Sequence, residues 1–151
     1  MDTTPIWKVK TFNELTTEEL YQLIRLRIEI FILEQEAPYQ DCDNYDQQAL
    51  HIWAEIDGEV AAYCRMFDKG IKYPEASIGR VISNSKFRGT GLGKKLISLA
   101  LETMKNKYAN PDIRISAQNY LLPFYGSFGF IPEGETYLED NLPHTEMFRK
   151  A

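Results

Sequence analysis

Residues 88–95 read Arg-Gly-Thr-Gly-Leu-Gly-Lys-Lys and stand between an apolar stretch ending near Ser83 and an amphipathic stretch beginning near Gly91. Glycines in such a loop let the backbone turn sharply and bring several N–H groups towards one point. A helix that follows adds the positive end of its dipole at the same place. Arg88 and Lys94 can add charge-assisted contacts to one anion. The stretch therefore predicts a phosphate-binding turn between a strand and a helix.

Two familiar glycine loops do not fit this stretch. A P-loop requires glycine where Arg88 stands and serine or threonine where Lys95 stands. A dinucleotide fingerprint requires a third glycine at Lys94 and an acid at the end of the next strand, where the chain has Ala117-Gln118-Asn119. What remains is Arg-x-x-Gly-x-Gly on a strand-to-helix turn.

The spacing of apolar residues predicts elements in the order β-α-β-β-β-α-β-α-β-β around this turn. Thr16 and Glu19 form a capping box that opens the first helix, and Asp57-Gly58 is a strong type I′ hairpin signal. Along that first helix, apolar side chains stand at helical spacing at Leu20, Leu23, Ile24, Ile28 and Phe31. The predicted ranges are 6–12, 16–31, 51–56, 59–67, 76–83, 91–108, 113–117, 120–128, 131–137 and 145–149. The order indicates an α/β (α+β) domain with a mixed sheet.

Composition excludes several functional classes. The length of 151 residues is close to the commonest domain size, so we expect one domain over residues 1–151. No apolar run can span a bilayer, and Asp2 stands where a signal peptide has basic residues, so we expect a cytoplasmic protein without a membrane partner. The net charge of −5 and the lack of basic-aromatic repeats disfavour nucleic acid. Two cysteines and two histidines leave a structural zinc site without ligands, so no metal is expected.

Charge is unevenly distributed along the chain. Nine acids and no lysine or arginine lie between Ile28 and Cys64, whereas eleven basic residues and four acids lie between Arg65 and Arg114. The middle of the chain therefore suits an anionic ligand, and the acidic segment suits a cationic one. The alternative is that both blocks are solvated faces.

A wider set of motifs resembles the GNAT superfamily of N-acetyltransferases. Residues 88–93 match its pyrophosphate-binding motif, and Gly-Arg-Val-Ile-Ser at 79–83 looks like its central strand. Asn119 and Tyr-Leu-Leu-Pro-Phe-Tyr-Gly-Ser-Phe-Gly-Phe at 120–130 look like its second motif. Within the superfamily the chain is most similar to the ElaA-type branch, through residues 26–40 and 137–144, although Ala37 stands where that branch leads us to expect cysteine.

The resemblance implies a mostly antiparallel sheet that splits near the motif and receives acetyl-coenzyme A in the gap. Backbone groups of β-strand residues would pair with the pantetheine arm, loop amides would hold the pyrophosphate, and an asparagine side chain would hydrogen-bond the pantetheine. The residues assigned in this way are Val81, Ile82, Ser83, Arg88, Gly89, Thr90, Gly91, Leu92, Gly93, Lys94 and Asn119. Ordinary turn chemistry is the alternative for Ser83 and Asn119.

Three residues are candidates for proton transfer. The resemblance implies Tyr125 as the acid that protonates the leaving thiolate, although an aromatic cluster around it is equally typical of a core. Glu34, before the loop at 36–48, and His144, whose ordinary pKa is near ~6.5, are alternative general bases. Glu139 or Asp140 can bind a cationic acceptor.

The remaining candidates for chemistry are discounted. His51 precedes a tryptophan on a strand and is expected to be structural. Neither cysteine is in an activating environment, because Cys42 lies between two aspartates, so direct transfer is favoured over an acyl-enzyme.

These observations predict an acetyl-coenzyme A-dependent N-acetyltransferase. The acetyl group would pass directly to a primary amine of a small molecule or an exposed protein amine, and a homodimer is left open. Two alternatives remain: an acyl-homoserine-lactone-synthase-like acyltransferase, and a non-catalytic acyl-coenzyme A sensor domain that kept the cofactor cleft.

Overall fold

Seven strands in two antiparallel sheets form the framework of the computed structural model, which describes residues 4–151. The prediction about an N-terminal signal falls partly on residues 1–3, which lie outside the described residues. In the first sheet the strands follow the order β1 (Ile6–Thr11), β2 (Leu50–Ile56), β3 (Glu59–Phe67) and β4 (Ser77–Ser83). In the second sheet β7 (Leu142–Arg149) lies between β5 (Ile113–Gln118) and β6 (Ile131–Glu139).

Three α-helices complete the predicted order of elements. They are α1 (Thr17–Arg27), which continues into a π-helical segment (Ile28–Glu34), α2 (Leu92–Lys107) and α3 (Leu122–Gly126). The capping box is confirmed, since Thr16 Oγ1 accepts from the Glu19 amide at 3.0 Å. The β2–β3 turn has φ of 51° at Asp57 and 78° at Gly58, as a type I′ turn requires. No helix in residues 4–151 is long and apolar enough to cross a membrane.

The α1 helix buries a different face from the apolar stripe seen in the sequence. Of that stripe only Leu23 is buried, and the other inward positions are Leu26, Arg27 and Ile30. Arg27 is 1% exposed because two aspartates from the following loop pair with it. Ile28 stays 40% exposed. The paired arginine thus turns part of the apolar stripe outwards.

Within residues 4–151, strand pairing between the two sheets occurs at the beginning of β4 and β5. A single parallel bridge joins Ala76 to Ile113, where the Arg114 amide donates to the Ala76 carbonyl at 2.9 Å. Past this bridge no strand ladder joins β4 to β5 in the part of the chain that the structure describes. The split in the sheet that the resemblance implies is therefore confirmed, and it opens a cleft between the two strands.

A bulge in β4 lies inside the cleft. Tyr63 pairs with Ile82 and Arg65 with Gly79, so Arg80 and Val81 together oppose a single residue of β3. Arg80 has φ of 51°, which is uncommon for a residue with a side chain. Such a bulge leaves one residue out of the ladder and re-aims the side chains beside it.

Candidate active site

A cavity of about 360 Å³ lies in the cleft between β4 and β5. Its walls come from both strands, the π-helical segment, α3 and the β6–β7 hairpin, and they include Phe31, Val81, Ala117, Tyr125, Glu139 and His144. Residues that are far apart in the sequence therefore line one cleft. A pocket of this size suits a small ligand together with the end of a longer one.

The glycine-rich loop connects β4 to α2 as the sequence predicts. Gly89 and Gly91 have φ of 83° and 81°, a region that side chains rarely adopt. Leu92, Gly93 and Lys94 form the first turn of α2, where backbone N–H groups lack partners within the helix. The Thr90 hydroxyl donates to the Phe87 carbonyl at 2.6 Å and so braces the loop rather than pointing to a ligand.

Tyr125 lies on α3 and has both features that its two interpretations predict. Its ring packs edge-on against Phe124 and Phe130, with centroids 5.2 and 6.0 Å apart. The side chain is 6% exposed, yet it lines the cavity. Burial raises the pKa of Tyr125 well above its ordinary value, so the phenol carries its proton at neutral pH. Tyr125 is a core aromatic that borders the cavity in its protonated form.

His144 lines the same cavity from β7 and is 7% exposed. Its Nδ1 lies 2.7 Å from the Leu142 carbonyl oxygen, which can only accept, so Nδ1 carries the hydrogen. The lone pair of the neutral ring is therefore on Nε2, 3.4 Å from Glu139 Oε2. A proton arriving at Nε2 gains a charge-assisted contact with that carboxylate.

Two hydroxyl groups hold Glu139 and His144 in place. The Ser116 hydroxyl donates to Glu139 Oε1 at 3.3 Å and is also hydrogen-bonded to the Tyr137 hydroxyl. The Tyr137 ring stacks on His144 with centroids 6.2 Å apart. The imidazole and the carboxylate are thus oriented towards each other by three neighbouring strands.

Residues 13–151 match the family model of the acetyltransferase (GNAT) domain. The chain belongs to the GNAT acetyltransferase family. It is 38% identical to Protein ElaA of Escherichia coli over 147 residues, which covers 96% of each chain. It also resembles the crystal structure of an acyl-CoA N-acyltransferase from Pseudomonas aeruginosa, with a TM-score of 0.92, 39% identity and coverage of 97% of this chain and 99% of that one. The chain is an acyltransferase with an acyl-coenzyme A co-substrate.

A CoA-dependent acyl-homoserine lactone synthase shares the fold at greater distance. Its TM-score is 0.77 and its identity 17%, over 97% of this chain and 84% of that one. At this identity the likeness concerns the fold alone. The GNAT fold therefore does not identify the acceptor. The residues that line the cavity must determine which acceptor binds.

The predicted cofactor residues of β4 occupy two environments. Val81 lines the cavity at the bulge, where its backbone is released from regular pairing. Ile82 and Ser83 pair with Tyr63 and Ala62 across β3. The Ile82 side chain is 2% exposed and packs beneath α1. Only Val81 among the three thus combines a cavity position with freed backbone groups.

Glu34 lies outside the cavity wall of the GNAT domain and meets the phosphate loop instead. Its Oε1 is 2.7 Å from the Arg88 guanidinium, which also donates from Nε to the Ser83 carbonyl at 3.2 Å. Both partners of this ion pair are more than 40% exposed. Of the two candidate bases, only His144 shares the cavity with Tyr125.

Asn119 is already engaged within the protein. Its Nδ2 donates to Thr136 Oγ1 at 3.1 Å, and its Oδ1 accepts from Thr145 Oγ1 at 2.7 Å. The side chain thus ties the turn after β5 to β6 and β7, in line with the structural alternative. Its contact with pantetheine stays a prediction.

A largely buried ion network, which the sequence does not predict, contributes Asp43, Arg65 and Arg80 to the cavity wall. It consists of three arginines and three aspartates: Arg27, Arg65, Arg80, Asp41, Asp43 and Asp46. Asp46 Oδ1 accepts from Arg27 and from Arg65, each at 2.8 Å. Arg80 Nε donates to Asp41 Oδ1 at 3.1 Å. Burial alone would raise the pKa of Asp46, but its hydrogen bonds and charge interactions with the arginines hold that pKa below its ordinary range.

The prediction of a cationic acceptor assumes that the acids between Ile28 and Cys64 are free to bind a ligand. The ion pairs of these acids contradict that assumption. Three of the nine acids between Ile28 and Cys64 belong to the ion network, and Glu34, Glu55 and Glu59 pair with Arg88, Lys8 and Lys86. Six of the nine acids are therefore paired with lysine or arginine side chains of the same chain. Arg65 stands within an otherwise apolar strand, and a charge at such a position must be paired when buried. That was the signal available in the sequence.

The discounted residues are structural, as the sequence analysis expects for His51. His51 Nδ1 lies 2.7 Å from the Tyr63 hydroxyl and Nε2 2.9 Å from the Asp46 carbonyl, so both ring nitrogens are used. Burial lowers the pKa of His51 and favours the neutral ring. Cys64 is buried, which raises the pKa of its thiol, and Cys42 lies exposed on the loop. Cys64 therefore lacks the thiolate character that a nucleophile needs.

Proposed function

We propose that this chain is an N-acetyltransferase that transfers the acetyl group of acetyl-coenzyme A directly to a primary amine, of a small molecule or an exposed protein. The observation that carries the proposal is that Tyr125 and His144 line one cavity at the split of the sheet. A buried phenol with its proton and an imidazole with a free lone pair are the acid and the base that such a transfer requires.

The residues beside the cavity fit a long anionic donor. The amides in the first turn of α2, with the two left-handed glycines before them, suit a diphosphate. Past Ala76 the edge of β4 that faces β5 has no ladder partner in the described residues, so backbone groups of residues 81–83 on that edge can pair with an extended pantetheine arm as an added strand does. Arg88 would exchange Glu34 for the phosphate, since both are anions.

The reaction forms one C–N bond and breaks one C–S bond. His144 Nε2 takes the proton that the attacking amine loses, directly or through a water. The Val81 amide, freed by the bulge, holds the thioester oxygen as negative charge develops on it. Tyr125 gives its proton to the departing sulfur and regains one from solvent afterwards. The Glu139 carboxylate faces the imidazolium that forms on His144.

The experiment is a coupled measurement of thiol release and product mass. The protein is incubated with acetyl-, butyryl- or octanoyl-coenzyme A and a panel of primary amines. We expect acetyl-coenzyme A to give stoichiometric thiol and N-acetylated amine, and to raise the melting temperature. Turnover only with the octanoyl thioester would favour the lactone-synthase alternative. Thiol release without N-acylated product from any amine would overturn the proposal.

We also propose that a second copy of the chain covers the outer face of α1. This face carries an apolar groove between Leu20, Tyr21, Ile24 and Ile28, with Tyr21 65% exposed. Arg25 and Glu29 border the groove. In an antiparallel two-fold pairing each copy's Arg25 can meet the other's Glu29, so the face is complementary to itself in charge.

Sedimentation velocity tests this homodimer. We expect the parent to sediment as a dimer and Tyr21→Lys as a folded monomer, because the lysine places charge in the apolar groove. Ile131→Lys is the matched control, since Ile131 is 67% exposed on β6, away from α1. A parent that is monomeric at every concentration tested would refute the homodimer.

A further inference from the structure

Lys72 is the lysine that lines the cavity. Its Nζ lies 4.2 Å from the centroid of the Tyr45 ring and 4.0 Å from Asp43 Oδ2. That distance to Asp43 is its only ion pair within residues 4–151, and it is too long for a hydrogen bond. The side chain is 32% exposed, so the ammonium is partly desolvated at the cavity. Lys72 thus lies over an aromatic ring and makes one long ion pair, and no carboxylate within residues 4–151 is hydrogen-bonded to it.

The carboxylate nearest to Lys72 is already committed to other cations. Asp43 Oδ2 lies 2.5 Å from Arg65 and 3.4 Å from Arg80, and Asp43 Oδ1 accepts from Arg65 at 2.9 Å. In the network as a whole the guanidinium groups and the carboxylates balance in number. Lys72 therefore adds a positive charge that Asp43 and Glu139 compensate only through space, since neither carboxylate is hydrogen-bonded to it within residues 4–151. Burial also lowers the pKa of Lys72, a cost that a bound anion would offset.

Negative charge also lines this cavity, in the β6–β7 hairpin, where Glu139 is close enough to interact electrostatically with Lys72. Glu139 and Asp140 lie there, beside His144, the base in the proposed mechanism. An ammonium group held by these carboxylates is within reach of the base that must remove its proton. The cavity therefore offers a place for a cation beside the base and a place for an anion beside Lys72.

We propose that the acceptor is a small amine that also carries a carboxylate, and that Lys72 binds the carboxylate. The inference rests on the proposed N-acetyltransferase function and narrows its substrate class to compounds of the amino-acid type. The volume of about 360 Å³ favours a free small molecule over a folded protein surface, because the acetyl end of the donor must share the space.

The test compares carboxylate acceptors with their uncharged counterparts in two lysine variants. β-Alanine and glycine are paired with β-alaninamide and glycinamide. We expect Lys72→Met to lower kcat/KM for the carboxylate member of each pair about 10- to 100-fold, the usual worth of one charge-assisted hydrogen bond, and to act through KM. The amides should change less than about twofold, because they make no ion pair with the lysine. Lys69→Met is the control, since Lys69 is exposed in the same turn and lies outside the cavity wall.

A binding measurement separates this inference from the proposed function. β-Alanine is titrated into the protein with coenzyme A present, and the melting temperature is recorded. Stabilisation of the parent and of Lys69→Met, but not of Lys72→Met, supports the carboxylate site even if no acetyl group is transferred, in which case only the proposed function fails. Equal losses for carboxylates and amides in Lys72→Met, or no lysine-dependent binding of β-alanine, overturns the inference.

Discussion

The two ends of the cleft are built from different parts of the polypeptide. The phosphate loop is made by backbone groups of one continuous stretch, residues 88–94, with glycines at the two left-handed positions. The proposed acceptor end is made by side chains from separate elements, among them Lys72, Arg80, Tyr125 and His144. Backbone-built sites are local in sequence and can be read from it, whereas side-chain-built sites exist only after the chain has folded.

The two ends also differ in how they relate to stability. The ion pair at the loop, Arg88 with Glu34, is exposed, and exposed pairs contribute little. The acceptor end lies against a buried ion network whose arginines 27 and 65 are 1% and 2% exposed. Substitutions at the loop should therefore change binding alone, whereas substitutions in the network should change folding. The following predictions test this difference.

The largest effect is expected at Tyr125, which packs in the core and is also the proposed general acid. Tyr125→Phe keeps the ring that packs on Phe124 and Phe130 and deletes only the hydroxyl group. Turnover at saturating amine should fall by ~10²–10⁴, the usual range for a general acid, with cofactor affinity nearly unchanged. Tyr120→Phe is the matched control, because Tyr120 is 71% exposed nearby and should keep full activity. Parental turnover in Tyr125→Phe would leave Tyr125 as a core aromatic only.

The second-largest effect is a loss of folding stability when the ion network beside the proposed acceptor end is broken. Asp46→Asn removes the carboxylate that Arg27 and Arg65 share, leaving buried positive charge uncompensated. Removing one partner of a buried pair typically costs about 3–5 kcal/mol, which denaturant unfolding measures. Glu59→Gln, which breaks the exposed pair with Lys86, should leave the unfolding midpoint almost unchanged. Equal small effects in both variants would show that the network does not stabilise the fold.

The same network predicts how stability depends on pH. The pKa values of Asp43 and Asp46 lie below their ordinary value of 3.8 in the folded chain, because arginine contacts outweigh burial. A depressed pKa contributes stability above the unfolded value and loses it as pH falls towards the folded value. The melting temperature of the parent should therefore fall steeply as the pH is lowered below about 4. Asp46→Asn should show a shallower decline over that range, since one of the two carboxyls is gone.

The features that the sequence predicts correctly are local ones, and the features that it does not predict depend on contacts between distant residues. The order of elements, the capping box, the hairpin turn and the glycine loop could all be predicted because each depends on neighbours within a few residues. Arg80 in a left-handed conformation and Lys72 beside Asp43 could not, because register and loop packing decide them. The outward turn of the α1 stripe has the same origin, since Arg27 is drawn inwards by partners 14 and 19 residues away.

The smallest effect is expected at the glycine-rich loop at 88–94, where a substitution should weaken cofactor binding and leave the fold intact. Gly91→Val places a β-branched side chain at φ of 81°, where such residues are strained, although the structure shows open space around the position. The turn should shift and misdirect the first amides of α2, so that the dissociation constant for acetyl-coenzyme A rises by at least about tenfold. The measurement is the thermal shift that the cofactor produces over a concentration series. Gly134→Val is the control, because Gly134 has φ of 85° on the exposed strand β6 and carries the same strain away from the loop. Cofactor affinity that falls equally in both variants would trace the loss to general backbone strain, and parental affinity in Gly91→Val would remove the loop from the cofactor site.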